Sequence, residues 1–270
     1  MAQLELSTGN TLNYELIAPG SSGKTFVFFN ALSGDKDMWS AAVSDALTSA
    51  GHGMLLYNLR GQAGSATTQS AIDVASIIGD AKALLEHVKP ARPIHVGLSI
   101  GGLFSLCAHL AGGHGRADGI VLINTLRKAG ARLDWVNDAV VRAAQVGGFD
   151  LMKDLYSPLL MNIEWQAENR AQFLGERSYT PCPPDDRALM LLKSGGTADW
   201  DINYEAIDVP VLAISGLQDR VFYNEADVSA LAQRMPQCTR MDMADAGHMI
   251  PVERPVNLGK ALMSFAGQVH

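Results

Sequence analysis

Gly97-Leu98-Ser99-Ile100-Gly101 is the stretch on which the reading of the whole chain turns. Before it, Pro93-Ile94-His95-Val96 is a short apolar run with the look of a strand buried on both faces, and after it residues 102–110 have helical spacing. A serine between strand and helix, flanked by glycines, marks a tight, strained turn in which a β-carbon at either glycine would collide with neighbouring backbone. Such a turn stands the serine hydroxyl above the carboxyl ends of the strands. Ser99 is therefore the candidate nucleophile. Five residues carry little specificity by themselves, so their setting has to carry the reading.

Working outward, that setting is regular. Thr25-Phe26-Val27-Phe28-Phe29, Gly53-Met54-Leu55-Leu56-Tyr57, Gly119-Ile120-Val121-Leu122-Ile123 and Pro210-Val211-Leu212-Ala213-Ile214 repeat the look of buried strands. Helical spacing runs over 39–47, 71–88, 225–235 and 256–265, and residues 4–17 alternate around Thr8-Gly9-Asn10 as a hairpin. Strands alternating with helices of this length predict an α/β fold, a mostly parallel sheet covered by helices on both faces. The alternation breaks between Leu126 and Trp200, where the pattern is helical, rich in Met and Trp, and interrupted by Tyr179-Thr180-Pro181-Cys182-Pro183-Pro184. We expect a core of residues 1–125 and 201–270 and a helical cap over 126–200, the alternative being a long crossover that contributes only packing.

Composition narrows the class. The 270 residues are 47% hydrophobic and 18% charged, ordinary values for a globular protein. A net charge of -7, with scattered Lys and Arg, gives no footprint for a phosphate backbone, so nucleic acid is not an expected partner. No apolar run is long enough to span a membrane, and Met1-Ala2-Gln3-Leu4-Glu5 lacks the start of a secretory signal, which leads us to expect a cytoplasmic protein. Cys107, Cys182 and Cys238 show no disulfide or zinc spacing and read as reduced, mostly buried thiols. Cys107, just after the serine turn, is the one conceivable second nucleophile.

A serine hydroxyl needs a base, and the base needs a carboxylate to hold its tautomer. Ser215-Gly216-Leu217-Gln218-Asp219 follows the strand ending at Ile214, which sets Asp219 on the same rim as Ser99. Ala246-Gly247-His248-Met249-Ile250-Pro251 follows a strand-like stretch over 239–243 and precedes a helix, which sets His248 there too. The order Ser, Asp, His fits a nucleophile turn of this kind. Asp219 could instead cap the helix starting near Asn224, and Asp242 or Asp245 could orient His248. Oxyanion donors are expected from the backbone N–H of Ile100, at a helix start, and of Leu32 or Ala31 in Asn30-Ala31-Leu32-Ser33-Gly34.

On these residues the chain resembles the α/β-hydrolase superfamily, and within it the 3-oxoadipate enol-lactonase and related esterase group. The likeness is densest over 29–39, 58–65, 96–102, 214–219 and 247–255. Asn58-Leu59-Arg60-Gly61-Gln62-Ala63-Gly64-Ser65 departs from the family's Asp-x-Arg-Gly-His-Gly-x-Ser by Asn58 and Gln62, a change we assign to loop architecture. Asn124-Thr125-Leu126-Arg127 and Trp135 resemble the enol-lactonase cap entrance. The resemblance implies that Arg127 and Trp135 face the substrate, with Arg127 as a carboxylate clamp; a solvated Arg127 among Lys128 and Arg132 is the alternative.

The expected activity is hydrolysis of a carboxylic ester or lactone of a small, possibly acidic, molecule through an acyl-enzyme on Ser99, with no metal or organic cofactor. Carbon–carbon bond hydrolysis of a vinylogous diketone ranks below it, because the hydrolases that do this usually carry Trp where this chain has Met249. Acyl transfer and a weakly catalytic ligand receptor on the same fold complete the alternatives.

Overall fold

The computed structural model describes residues 2–6, 9–67, 72–175 and 178–269. Thr8 in the expected hairpin turn, Ala71 at the expected helix start and His270 lie outside these residues. Among the described residues, eight strands form one sheet in the order β1-β2-β4-β3-β5-β6-β7-β8. They are β1 (Ala2–Glu5), β2 (Thr11–Ile17), β3 (Thr25–Phe29), β4 (Gly53–Tyr57), β5 (Pro93–Leu98), β6 (Gly119–Ile123), β7 (Val211–Gly216) and β8 (Cys238–Met243). The first two are the expected hairpin, antiparallel to each other and to β4, while every pairing from β4 to β8 across the sheet is parallel.

Alternate residues of the buried strands face two different helical layers, which is why the strands read as unbroken apolar runs. Phe26, Phe28, Val121 and Ile123 pack with Trp39, Val43 and Leu47 of α1 (Asp37–Ser49) and with Leu258, Leu262 and Phe265 of α9 (Pro255–Gln268). Val27 and Phe29 turn the other way, onto Ile77 and Leu84 of α2 (Val74–Val88) and Leu103 and Phe104 of α3 (Ile100–Leu110). On that second face Ile120 and Leu122 meet Val228 and Leu231 of α7 (Glu225–Arg234). Burying a Leu, Ile or Phe side chain contributes about 1.5–3 kcal/mol, so these two layers are the main source of stability.

Between β6 and β7 the chain builds α4 (Ala131–Leu160), kinked at Gly148 where φ is 71°, then α5 (Ile163–Asn169) and α6 (Arg187–Lys193). A short α8 (Ile250–Glu253) precedes α9. From β3 the chain crosses to β4 on one side and then to β5 on the other. That reversal opens a crevice outside the carboxyl ends of β3 and β5, where open parallel sheets bind ligands. Residues 30–34 and Ser99 lie at that crevice, one loop from each strand.

Candidate active site

Ser99 leaves β5 with φ 57° and ψ −126°, a strained conformation for a residue with a side chain. Its N–H donates to the Ile123 carbonyl at the end of β6 (2.8 Å), which fixes the turn between two central strands. A β-carbon on Gly97 would sit 2.4 Å from Gly102 Cα, and one on Gly101 would sit 2.2 Å from the Phe29 carbonyl oxygen. Both flanking positions therefore have to be glycine, because backbone cannot move aside.

Asp219 stands just beyond β7, with Oδ1 accepting from the N–H groups of Val221 (3.0 Å) and Phe222 (2.9 Å). Its Oδ2 is 2.6 Å from His248 Nδ1, so the proton of the neutral ring lies on Nδ1 and Nε2 is the basic nitrogen. Burial would raise the Asp219 pKa, but the charge and hydrogen bond of His248, the Phe222 N–H and the Arg127 charge outweigh it and hold the carboxyl below its ordinary range. The other carboxylates are engaged elsewhere: Asp242 pairs with Arg240, Asp245 with Arg254, and helix α7 is capped by Asn224.

The loop after β3 leaves the Leu32 N–H without a hydrogen bond among the described residues, and the Ile100 N–H at the start of α3 is equally open. Gln62 holds that loop. Its Nε2 donates to the Ala31 carbonyl (2.8 Å), and its Oε1 accepts from Asn30 Nδ2 and Leu59 N (2.9 Å each). Asn58 Oδ1 accepts from Lys36 N (2.7 Å), and Asn30 Oδ1 from the Trp39 indole (2.8 Å). Asn58 and Gln62 thus shape the loop bearing Leu32 as well as their own, a reach that sequence comparison did not reveal.

Two further residues, whose part in the site their sequence does not reveal, fix the histidine. Asn124, at φ 48°, donates through Nδ2 to the carbonyls of Gly247 (3.0 Å) and His248 (2.8 Å), while its Oδ1 accepts from Gly216 N at the end of β7 (2.8 Å). Glu253 is buried and accepts three backbone N–H bonds, from Gly247 (2.8 Å) and Asn162 (2.7 Å) on Oε2 and from Met249 (2.7 Å) on Oε1. Around the same point His248 N donates to the Leu160 carbonyl (2.6 Å) and Arg220 N to that of Leu159 (2.9 Å). The end of α4 is therefore tied to both the loop of the acid and the loop of the base.

Arg127 is buried at 7% exposure, which overturns the solvated alternative. Nε donates to the Thr125 carbonyl (3.2 Å), and Nη2 donates to the Asn124 carbonyl (2.8 Å) and to Ser99 Oγ (3.0 Å). The guanidinium lies over the rings of Phe222 (4.2 Å) and Trp200 (4.9 Å). Burial pulls its pKa down to about 10, partly countered by Asp219 and Tyr204, so it keeps its charge at neutral pH. Trp135 goes the other way and corrects our expectation: it is 78% exposed and lies outside the cavity. Leu133, Asn137, Val140 and Ala144 share the inward face of α4 at helical spacing, and a residue two positions after Leu133 points away from it. The tryptophan at the site is Trp200.

A cavity of about 140 Å³ brings these groups together. The core lines it with Leu32, Ser99, Ile100, Phe222, His248 and Met249, and the segment after β6 with Arg127, Asn137, Val140, Met152, Tyr156 and Trp200, among others. The walls are mainly apolar with few polar groups, the character of a small-molecule site. Ser99 Oγ is hydrogen-bonded to Arg127 and not to His248, a contact that in such sites often tightens only around substrate. Cys107 plays no visible part: burial, with a smaller effect of Asp199, raises its thiol to about 11. Among the described residues no helix is long and apolar enough to cross a membrane.

Comparison with known proteins identifies the family and the fold. Residues 24–255 match the family model described as alpha/beta hydrolase fold. The chain is 25% identical over 243 residues to 3-oxoadipate enol-lactonase 2 of Acinetobacter baylyi, covering 85% of this chain and 83% of that one. In structure it is similar to the enol-lactonase from Burkholderia xenovorans LB400, with TM-score 0.79, 23% identity, and 98% and 100% of the two chains covered. A thermophilic esterase from Thermogutta terrifontis matches with TM-score 0.80 and 18% identity, over 100% of this chain and 98% of that one.

Proposed function

Because this chain belongs to the α/β-hydrolase family, we propose that it is a serine hydrolase cleaving a carboxylic ester or lactone of a small molecule. The observation that carries the proposal is the convergence of Ser99, His248 and the open N–H groups of Leu32 and Ile100 on one cavity, with His248 Nδ1 on Asp219. His248 Nε2 takes the Ser99 proton as Oγ attacks the carbonyl carbon. The oxyanion is held by Leu32 and Ile100, where the start of α3 also favours negative charge. The leaving alcohol departs with the proton from His248. Water, deprotonated by the same nitrogen, then hydrolyses the acyl-enzyme.

We take residues 126–200 as a cap over the cavity and the rest as the catalytic core. A cavity near 140 Å³ is close to the engineered 150 Å³ void that holds benzene, so the part of the substrate held there is of about that size. Arg127 Nη1 has no hydrogen bond among the described residues, which supports an acidic group on the substrate as its partner. The relatives, an enol-lactonase and an esterase by name, support the same bond type. A fluorophosphonate probe is expected to label the native protein and not Ser99→Ala. Equal labelling of the two, or none of either, refutes the reading. p-Nitrophenyl esters and lactones, assayed beside vinylogous diketones, identify the bond cleaved.

A further inference from the structure

We infer that Arg127 acts on the nucleophile itself, as the donor that helps Ser99 Oγ leave the acyl-enzyme; the inference rests on the serine-hydrolase reading. Nη1 stays open toward a substrate group, but the edge of the guanidinium that carries Nε and Nη2 is already committed within the protein. Nη2 points one N–H at Ser99 Oγ (3.0 Å) and the other at the Asn124 carbonyl (2.8 Å), and Nε holds the Thr125 carbonyl (3.2 Å). Phe222 and Trp200 against the plane restrict it further. A cation placed this way does not have to reorganise as charge develops on Oγ, which is the condition under which electrostatic catalysis is strongest.

The chemistry decides which step gains. Only an interaction stronger in the transition state than in the preceding ground state speeds a step. Before acylation Oγ belongs to a hydroxyl, a good acceptor, so the bond to Arg127 is already present and little is gained on attack. In the acyl-enzyme Oγ is a bridging ester oxygen whose lone pair is delocalised into the carbonyl, a poor acceptor. During deacylation His248 Nε2 takes a proton from water, and the hydroxide oxygen bonds to the acyl carbon. The C–Oγ bond then breaks, its electron pair goes to Oγ, and the proton passes from Nε2 to Oγ. Oγ carries most charge as that bond breaks, and Arg127 meets it there.

Arg127→Met tests this, since it fills the space between Phe222 and Trp200 without a charge; Arg127→Gln is the second variant should the first not fold by circular dichroism. The substrate is p-nitrophenyl butyrate, whose acyl chain has no carboxylate, so a clamp for acidic substrates is not being read. We expect kcat to fall about 10- to 100-fold, the effect of losing one charge-assisted hydrogen bond. Stopped-flow release of p-nitrophenolate should acquire a burst approaching one equivalent, and intact mass should show the butyryl group on Ser99. Millimolar guanidinium should hasten its decay, which a merely structural role would not produce. Unchanged kcat, or a fall with no burst and no acyl-enzyme, overturns the inference. Fluorophosphonate labelling of native Ser99 separates the two failures: with labelling intact only the role of Arg127 falls, and without it the serine-hydrolase reading falls as well.

Discussion

Replacing Glu253 by Gln tests the knot that holds His248. The carboxylate accepts three buried N–H bonds, two on Oε2 from Gly247 (2.8 Å) and Asn162 (2.7 Å) and one on Oε1 from Met249 (2.7 Å). An amide has one acceptor oxygen. Its best placement keeps the two bonds at the Oε2 position and turns its NH2 toward the Met249 N–H, donor against donor. One charge-assisted bond is lost, and a buried N–H is left without a partner. Together these cost about 2–4 kcal/mol. In a domain of this size that lowers the melting temperature by about 5–15 °C. Thermal unfolding followed by circular dichroism measures it, with a urea titration at unchanged slope to show that stability alone has moved. Because His248 lies between Gly247 and Met249, fluorophosphonate labelling of Ser99 should slow in the folded variant. A variant melting within about 1 °C of the parent and labelled at the same rate would show that the three bonds do not hold the loop.

Asp219→Asn removes the carboxylate that sets the His248 tautomer and is expected to lower kcat about 10⁴-fold in steady-state assays. The same variant tests linkage. The Asp219 pKa is depressed in the folded state, so its stabilisation is complete above the unfolded carboxylate value near ~4 and is lost as pH falls through the lower folded value. Acid titration of stability should therefore be shallower in Asp219→Asn than in the parent below about pH 5. Gly79, inside α2 with open space where a β-carbon would go, predicts that Gly79→Ala stabilises the fold by about 0.5–1 kcal/mol in urea unfolding.

The buried strands were legible because each presents apolar side chains to both helical layers, as the alternation of Phe26 and Phe28 against Val27 and Phe29 shows. The serine turn was legible because backbone crowding at Gly97 and Gly101 leaves one residue type possible. Asp219 and His248 could be placed near Ser99 because each follows a parallel strand, and parallel strands end on one rim. The direction of α4 could not be read. Which of its faces is inward depends on how residues far along the chain pack beneath it, so neither the outward turn of Trp135 nor the place of Trp200 in the cavity wall follows from the local sequence. The roles of Asn124 and Glu253 are hidden for a different reason. They bind main-chain atoms, and main-chain partners leave no trace in residue identity, although Glu253 does sit at a fixed distance after the histidine.

The seam at the end of α4 bears on how such a molecule can change over evolutionary time. Leu159 and Leu160 offer carbonyls to the acid and base loops, and Asn162 offers its N–H to Glu253. In those three contacts the segment contributes main-chain atoms, which every amino acid except proline can supply. Drift among the side chains facing the cavity, such as Val140, Met152 and Tyr156, can remodel what is bound while the register of the histidine is inherited unchanged. New binding preferences can then be acquired by point substitution, without first rebuilding the loops that hold Asp219 and His248.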